Sequence, residues 1–392
     1  MRKIASGLPG ALTAAAAAAV VALATAAPAS AAAAAPADSA QPLAATDVRA
    51  LTTVAQGYLQ QRADSVTLAG ARRLAPAVPE QATPTLRKTL GTEFAQLAEQ
   101  GRAYEKASGG YSRAEVTVTP GKAERKGDKA TLRLNEKTSL FYPDVRSADE
   151  PKAEEYALDH TLTFTRDAAN GTWVLAEDRP DIGSGDVTTY NTPPRTEAPA
   201  QGLAKEDRRT GTSGTDRAAA GQNTAGSKPS LAAGYNYTAM VNYANRYWQH
   251  PNSAYRTYGN DCTNFVSQAM KAGGWQQKGS GFWDRKDKDK WYYGGHTWTT
   301  SYTWAGAENW YWFATKYSHR TRALSNVWQM GLGDVLQADW NRDNTIDHTM
   351  IVTGFHGTDE IYLTYHTTNT HNRKLTNLLA KYPHTWWYAH RT

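Results

Sequence analysis

A single cysteine, Cys262, occurs in 392 residues, so no intramolecular disulfide can form and Cys-rich zinc or iron–sulfur sites are excluded. Charge is also sparse: 20% charged residues against 40% hydrophobic ones exclude a coiled coil and a chain disordered throughout. Beyond the N-terminus no apolar run reaches the roughly 18 residues of a membrane span. The formal charge of +6 is small and dispersed, which gives no footprint for nucleic acid. Tryptophan is what the chain has in excess. Of its 13, twelve lie between Trp248 and Trp387, so the C-terminal part differs in kind from the rest.

At this length two domains plus connections are expected. Arg2 and Lys3, the apolar run Ala11 to Ala27 and the site Ala29-Ser30-Ala31 read as a secretory signal over 1–31, and its removal leaves a charge of +4. The mature chain is then expected to be extracellular, with no membrane span. Residues 32–45 are an Ala/Pro-rich spacer. In 46–185, Val48 to Leu59 and Thr85 to Tyr104 carry apolar residues at helical spacing. Alternation follows in four runs, Ala114–Val118, Ala130–Leu134, Tyr156–Phe164 and Thr172–Ala176. The expectation is a small α+β domain whose element order resembles the cone-shaped nuclear-transport-factor-like domains. Residues 186–232 are rich in Gly, Ser, Thr, Ala and Pro and read as a flexible linker. Residues 233–392 hold the cysteine and nine of the ten histidines, so function is sought there.

Tyr235 to Trp248 has an amphipathic helical pattern. A second helix is expected over Asp261 to Met270, where Phe265, Val266, Ala269 and Met270 share a face and Gly273-Gly274 supply the stop. Cys262 then lies at a helix N-terminus, where free N–H groups and the helix dipole favour a thiolate and lower the thiol pKa. The plain alternative is a buried packing cysteine. Against it stand the polar neighbours Asp261, Thr263 and Asn264, and the oxidation risk of an unpaired thiol in an exported protein.

A nucleophile needs a base. Strands are expected over Gly333–Ala338, His348–Gly354, Glu360–His366 and Thr385–His390. His348 stands at the start of one, beside Asp347 and ahead of Met350-Ile351-Val352, and 86 residues beyond Cys262. A neighbouring strand carrying His366 offers a polar group to orient the imidazole. The other histidines lie in surface or packing contexts.

The block Asp261-Cys262-Thr263-Asn264-Phe265-Val266-Ser267-Gln268, ended by Gly273-Gly274-Trp275, resembles the cysteine box of the putative amidase domain family. So do Gly333-Asp334, the Asp347-His348 pair with Ile351-Val352-Thr353, and Tyr365-His366-Thr367. The resemblance covers about residues 235–390, and the family looks like a branch of the papain-like superfamily, near bacterial cell-wall cysteine peptidases. It implies a papain-like α+β domain of N-terminal helices and an antiparallel sheet. It also implies a thiol-dependent amide hydrolase with Cys262 as nucleophile, His348 as base and His366 as third polar residue, Asn369 and Asp347 being the alternatives for that place. Its substrate would be cell-wall peptide. The oxyanion would sit on the Cys262 N–H and a donor from the preceding loop, Tyr258 or Asn260. No cofactor is required by that chemistry.

Two features stand apart. Asp339, Asn341, Asp343, Thr345 and Asp347 place oxygens at alternate positions, as in the first nine positions of a calcium loop. Asn344 stands where such loops have glycine, and Met350 where they have glutamate, so a polar hairpin turn is the stronger expectation. Between Trp283 and Trp312 the aromatics alternate with Lys, Asp, Gly and Thr, and Trp291, Trp298 and Trp304 are candidates for a substrate groove. Trp304 to Trp312 is read as a helix beside the site. Two other functions stand beside amide hydrolysis: a transglutaminase-type acyl transferase, which uses the same Cys-then-His order, and a catalytically silent module that binds glycan or peptide through the aromatic groove.

Overall fold

The computed structural model describes residues 40–73, 78–181, 192, 199–200, 234–356 and 360–392. The export segment expected at 1–31, most of the spacer and nearly all of the linker lie outside the described residues. Of the linker segment, Ala200 is described: it is buried and donates its N–H to the Trp387 carbonyl at 2.6 Å.

The N-terminal half opens with a two-residue strand β1 (Gln41–Pro42) and helix α1 (Ala45–Ser65), which turns Leu51, Ala55, Tyr58 and Leu59 inward at helical spacing. After the single turn α2 (Leu68–Ala71), α3 (Pro84–Lys106) starts on two sequence signals. Thr83 accepts the Leu86 N–H, and Pro84 takes the first helical position, where a missing N–H costs nothing. The four alternating runs become the antiparallel strands β2 (Arg113–Lys126), β3 (Lys129–Phe141), β4 (Ala153–Arg166) and β5 (Trp173–Asp181). Their inward residues, among them Leu132, Leu162, Phe164 and Leu175, close the core against Leu90 and Phe94 of α3.

The C-terminal half begins with α4 (Tyr237–Tyr247) and α5 (Cys262–Ala272), followed by the short helices α6 (Tyr302–Ala305) and α7 (Ala307–Tyr311). Strands β6 (Arg322–Leu324), β7 (Val335–Asp339), β8 (His348–His356), β9 (Glu360–Tyr365) and β10 (Thr370–Lys374) follow, then α8 (Leu375–Lys381) and β11 (Trp386–Arg391). Val335 and Ile351 face α5 and the tryptophan layer, whereas Leu336, Met350 and Val352 face Leu375, Leu378 and Trp387. The β7–β8 pair is therefore buried on both faces. The fold is α+β.

The two halves share one antiparallel sheet, in the order β1-β2-β3-β4-β10-β9-β8-β7-β11-β6, with β5 also on β4. The seam is short in register, Thr370 opposite Tyr156 and His371 opposite Glu155, but strongly braced. Arg373 donates to Glu154 at 2.9 Å and to the Tyr104 hydroxyl at 2.8 Å, all three groups being buried. Lys374 reaches Asp144 at 2.6 Å, Asn377 accepts the Gly110 N–H at 2.9 Å, and Tyr362 donates to Glu150 at 3.0 Å. Removing one member of a buried pair strands the other charge, so Glu154→Gln is expected to lower the unfolding free energy by about 3–5 kcal/mol. Combining it with Arg373→Met should recover much of that loss, as measured by denaturant midpoints. A single replacement without effect would refute a stabilising seam.

A second buried charge cluster lies inside the N-terminal half. His160 sits between Glu136 at 2.9 Å and Asp178 at 2.8 Å, and Tyr58 donates to Asp178 at 2.8 Å. Burial opposes the imidazolium, but the carboxylates of Asp178 and Glu136 outweigh it and push His160 up to about 9. The folded value exceeds the unfolded one, so this stabilisation is complete below about pH 6.5 and is lost as pH rises through 9. The stability gap between wild type and His160→Gln, about 2–3 kcal/mol at pH 6, should close by pH 10 in denaturant titrations. A gap that stays constant over that range would contradict the charged triad.

Candidate active site

Helix α5 starts at Cys262 because Asp261 ends the preceding loop and spends its carboxylate on that loop's geometry. Its Oδ1 accepts the Tyr258 N–H at 2.9 Å and the Asn264 Nδ2 at 2.8 Å. Its Oδ2 accepts from His366 Nδ1 at 2.7 Å. The other ring nitrogen of His366 faces the Tyr247 carbonyl at 2.8 Å, and the ring stacks on Phe265 at 3.9 Å between centroids. With both nitrogens facing acceptors, His366 offers no lone pair to the sulfur or to another imidazole. It ties β9 to α4 and to the helix start.

The thiol of Cys262 is buried, 1% exposed, and donates to Asn260 Oδ1 at 3.2 Å. Around the sulfur stand the Thr263 hydroxyl at 3.6 Å and backbone N–H groups of Thr349 and Thr263. Thr263 and Thr349 are themselves linked at 2.9 Å, which fastens α5 to β8. The helix terminus was expected to lower the thiol pKa. Instead burial pushes it up to about 11, outweighing the hydrogen bonds that favour the thiolate.

His348 immediately precedes Thr349, but the pleat of β8 separates them. The alternation that turns Thr349 and Ile351 toward α5 turns His348 to the other face, with Met350 and Val352. Its ring lies 4.9 Å from that of Tyr365 and 5.7 Å from that of Trp340. Burial pushes it down to about 4, so the imidazole is neutral. No hydrogen bond joins His348 to Cys262 or to His366 among the described residues. Neither of the alternative third residues reaches it: Asn369 donates to the Gln249 carbonyl at 3.5 Å, and Asp347 accepts the Trp340 N–H at 2.8 Å.

Of the two oxyanion candidates, Asn260 touches the sulfur, and its side chain also accepts from the Thr367 hydroxyl at 3.1 Å. The Tyr258 hydroxyl instead accepts from Arg256 at 3.3 Å. Thr367 has φ of 96°, a left-handed backbone that a β-branched residue adopts only under strain, and it lies directly beside the site.

Two groove candidates are corrected. Trp291 and Trp304 are fully buried core residues whose indole N–H groups are satisfied internally, by Ser267 at 3.1 Å and Asn264 at 2.8 Å. The rings pack around Trp275, Trp310 and Phe313, and the polar neighbours Thr300, Ser301 and Thr303 are themselves buried and hydrogen-bonded. Trp298 is exposed and stacks on His296 at 4.7 Å. The predicted helix over Trp304 to Trp312 is split between α6 and α7.

The segment with calcium-like spacing folds as a braced turn. Asp339 accepts the N–H groups of Asp343 at 3.2 Å and Asn344 at 3.0 Å, and Asp343 accepts that of Thr345 at 2.8 Å. The Asn341 amide is spent on Asp343 at 3.1 Å, and Asn344 takes the left-handed backbone its side chain tolerates, with φ of 70°. Among the described residues no group of three or more His, Cys, Asp or Glu side chains converges as a metal site.

The arrangement is thus a lone cysteine at a helix start, ringed by N–H donors and the exposed Asn260 amide, with its sulfur against the N–H of Thr349, the residue after a neutral histidine that faces the other side of β8. Residues 234–390 match the putative amidase domain family. This part of the chain is similar to that family. It is similar to two uncharacterized proteins of Bacillus subtilis (strain 168). One is YhbB, 30% identical over 123 residues, which are 30% of this chain and 37% of that one. The other is YjcM, 30% identical over 148 residues, which are 36% of this chain and 32% of the relative. The chain thus spans about a third of the length of the curated relatives it matches. The description of the matched family names an amidase, a hydrolase-type activity.

Sequence reasoning missed Asp261 as an organiser, although its place at the cap position directly before Cys262 was a usable signal. It also missed the contribution of the N-terminal half. A cavity of about 660 Å³ beside the site is lined by Tyr258, Asp261, His366 and Thr367, and also by Asn135 and Asp159. No local pattern could have announced that. Among the described residues no helix is long and apolar enough to cross a membrane.

Proposed function

We propose that the protein is an exported, cysteine-dependent amide hydrolase acting on cell-wall peptide, with Cys262 as nucleophile and His348 as base. The observation that carries this reading is the placement of the Cys262 sulfur: at the start of α5, against the Thr349 N–H, next in sequence to His348. The reading requires the first residues of β8 to re-seat, because His348 rests on the far face of the sheet between Trp340 and Tyr365 and a turn of its ring alone does not reach the sulfur. Once re-seated, the imidazole takes the thiol proton as the sulfur bonds to the amide carbon. The tetrahedral oxyanion is held by the Cys262 N–H and the Asn260 side chain. The imidazolium then protonates the leaving amine, and the thioester remains. Water, deprotonated by His348, releases the acid and restores the thiol. His366 and Asp261 act through position, by fixing the helix start and the loop before it.

Incubating the protein with purified peptidoglycan and with peptide anilides tests the activity. Release of free amine, absent with heat-denatured protein, is the expected result. With an added alkylamine in excess, hydrolysis should still yield the free acid as main product. A predominantly amine-linked product would establish acyl transfer instead, and no amine release from either substrate would overturn the reading.

A further inference from the structure

The cavity at the Tyr258–Asp261 loop, which leads into the start of α5, does not end at the C-terminal half. A second cavity of about 650 Å³ lies along β3, β4 and β5 and shares Thr119, Asn135, Asp159 and Asp181 with the first, which makes the two one continuous trough. Its near end is the loop of Tyr258 and Asp261 with Thr367, and its far end is bounded by Arg133 and Arg179. The wall is rigidly placed, because β4 pairs with β10 and the Ala157 N–H meets the Asn369 carbonyl at 3.2 Å.

The chemistry of the wall changes along its length in register. Asn135, Asp159 and Asp181 stand opposite one another across the three strands, and so do Arg133, Thr161 and Arg179 one repeat further on. Two residues along a strand span about 7 Å, roughly the advance of two residues of an extended peptide. Asn135 donates to Asp159 at 2.8 Å, which holds that carboxylate in place.

We propose that this trough is the substrate track of the Cys262 site, built by the N-terminal half, and that it selects an extended peptide with a charge of each sign. The cationic group lies nearer Cys262, against Asp159, and the anionic group about two residues farther out, against Arg133. The combined volume suits a peptide of several residues rather than a single amino acid. The inference rests on Cys262 marking the reacting end, but the wall can be tested without any turnover.

The experiment measures equilibrium binding to the full chain carrying Cys262→Ala. The probe is a tetrapeptide with both termini blocked and with lysine and glutamate two positions apart. Asp159→Asn and Arg133→Gln, both at exposed strand positions, are each expected to raise its Kd about tenfold. Replacing the peptide's lysine by norleucine, or its glutamate by glutamine, should weaken binding equally in the unaltered wall, and adding Asp159→Asn should cost the norleucine peptide nothing further. The track is overturned if Kd is the same for all these pairs, or if the probe does not bind at millimolar concentration. Hydrolysis that survives Cys262→Ala, by contrast, overturns the catalytic reading and leaves the binding result standing.

Discussion

Replacing Cys262 by alanine is expected to lower kcat for amide hydrolysis by about 10⁴-fold or more, with little change in KM. The size follows from what the sulfur does. Without a nucleophile the two-step route through a thioester is closed, and only positioning and oxyanion stabilisation remain. The folded state should tolerate the change, because the thiol is small and its neighbours Thr263 and Thr349 keep their own link at 2.9 Å. Unfolding midpoints within experimental error of wild type would show that the loss is chemical. Retention of more than a tenth of the activity would mean that another group attacks the amide.

The second large effect is on thiol reactivity. Burial holds Cys262 near 11 and His348 near 4, so the resting protein contains a neutral thiol and a neutral imidazole. Carbamidomethylation by iodoacetamide should therefore be slow at pH 7, where about one thiol in 10⁴ is ionised, and should rise about tenfold per unit toward pH 10. A preformed thiolate–imidazolium pair gives the opposite profile, fast and almost flat from pH 5 to 9. The increase should vanish in Cys262→Ala, the chain's only cysteine. A flat, fast profile would show that the sulfur and His348 are already paired at rest.

Much of the architecture was legible from periodicity. The two long helices of the N-terminal half and its four strands carry apolar residues at 3.6- and 2-residue spacing, since each buries one face. The start of α5 at Cys262 could be read because polar residues precede an apolar stripe and a glycine pair ends it. Strand β10 was not legible. Thr370-His371-Asn372-Arg373-Lys374 has no apolar alternation, yet Arg373 and Lys374 are buried because Glu154 and Asp144, far away in sequence, neutralise them. Charge satisfied from a distant segment looks the same, in sequence, as charge exposed to water. Trp291 and Trp304 failed for a related reason: their polar neighbours suggested a surface, but the indoles are satisfied inside by Ser267 and Asn264. At the site the residue types were readable and their pairing was not. His366 belongs to Asp261 rather than to His348, which depends on a strand register that no local pattern encodes.

The most direct test is to trap the acyl-enzyme. The wild-type chain is mixed with an activated peptide ester, quenched in acid within milliseconds to seconds, and examined by intact-mass and peptide-mapping spectrometry. The account predicts a mass increase equal to the acyl group, located on the peptide containing Cys262, removed by hydroxylamine and absent from Cys262→Ala. An adduct on any other residue, or steady hydrolysis with no adduct at any quench time, would contradict it.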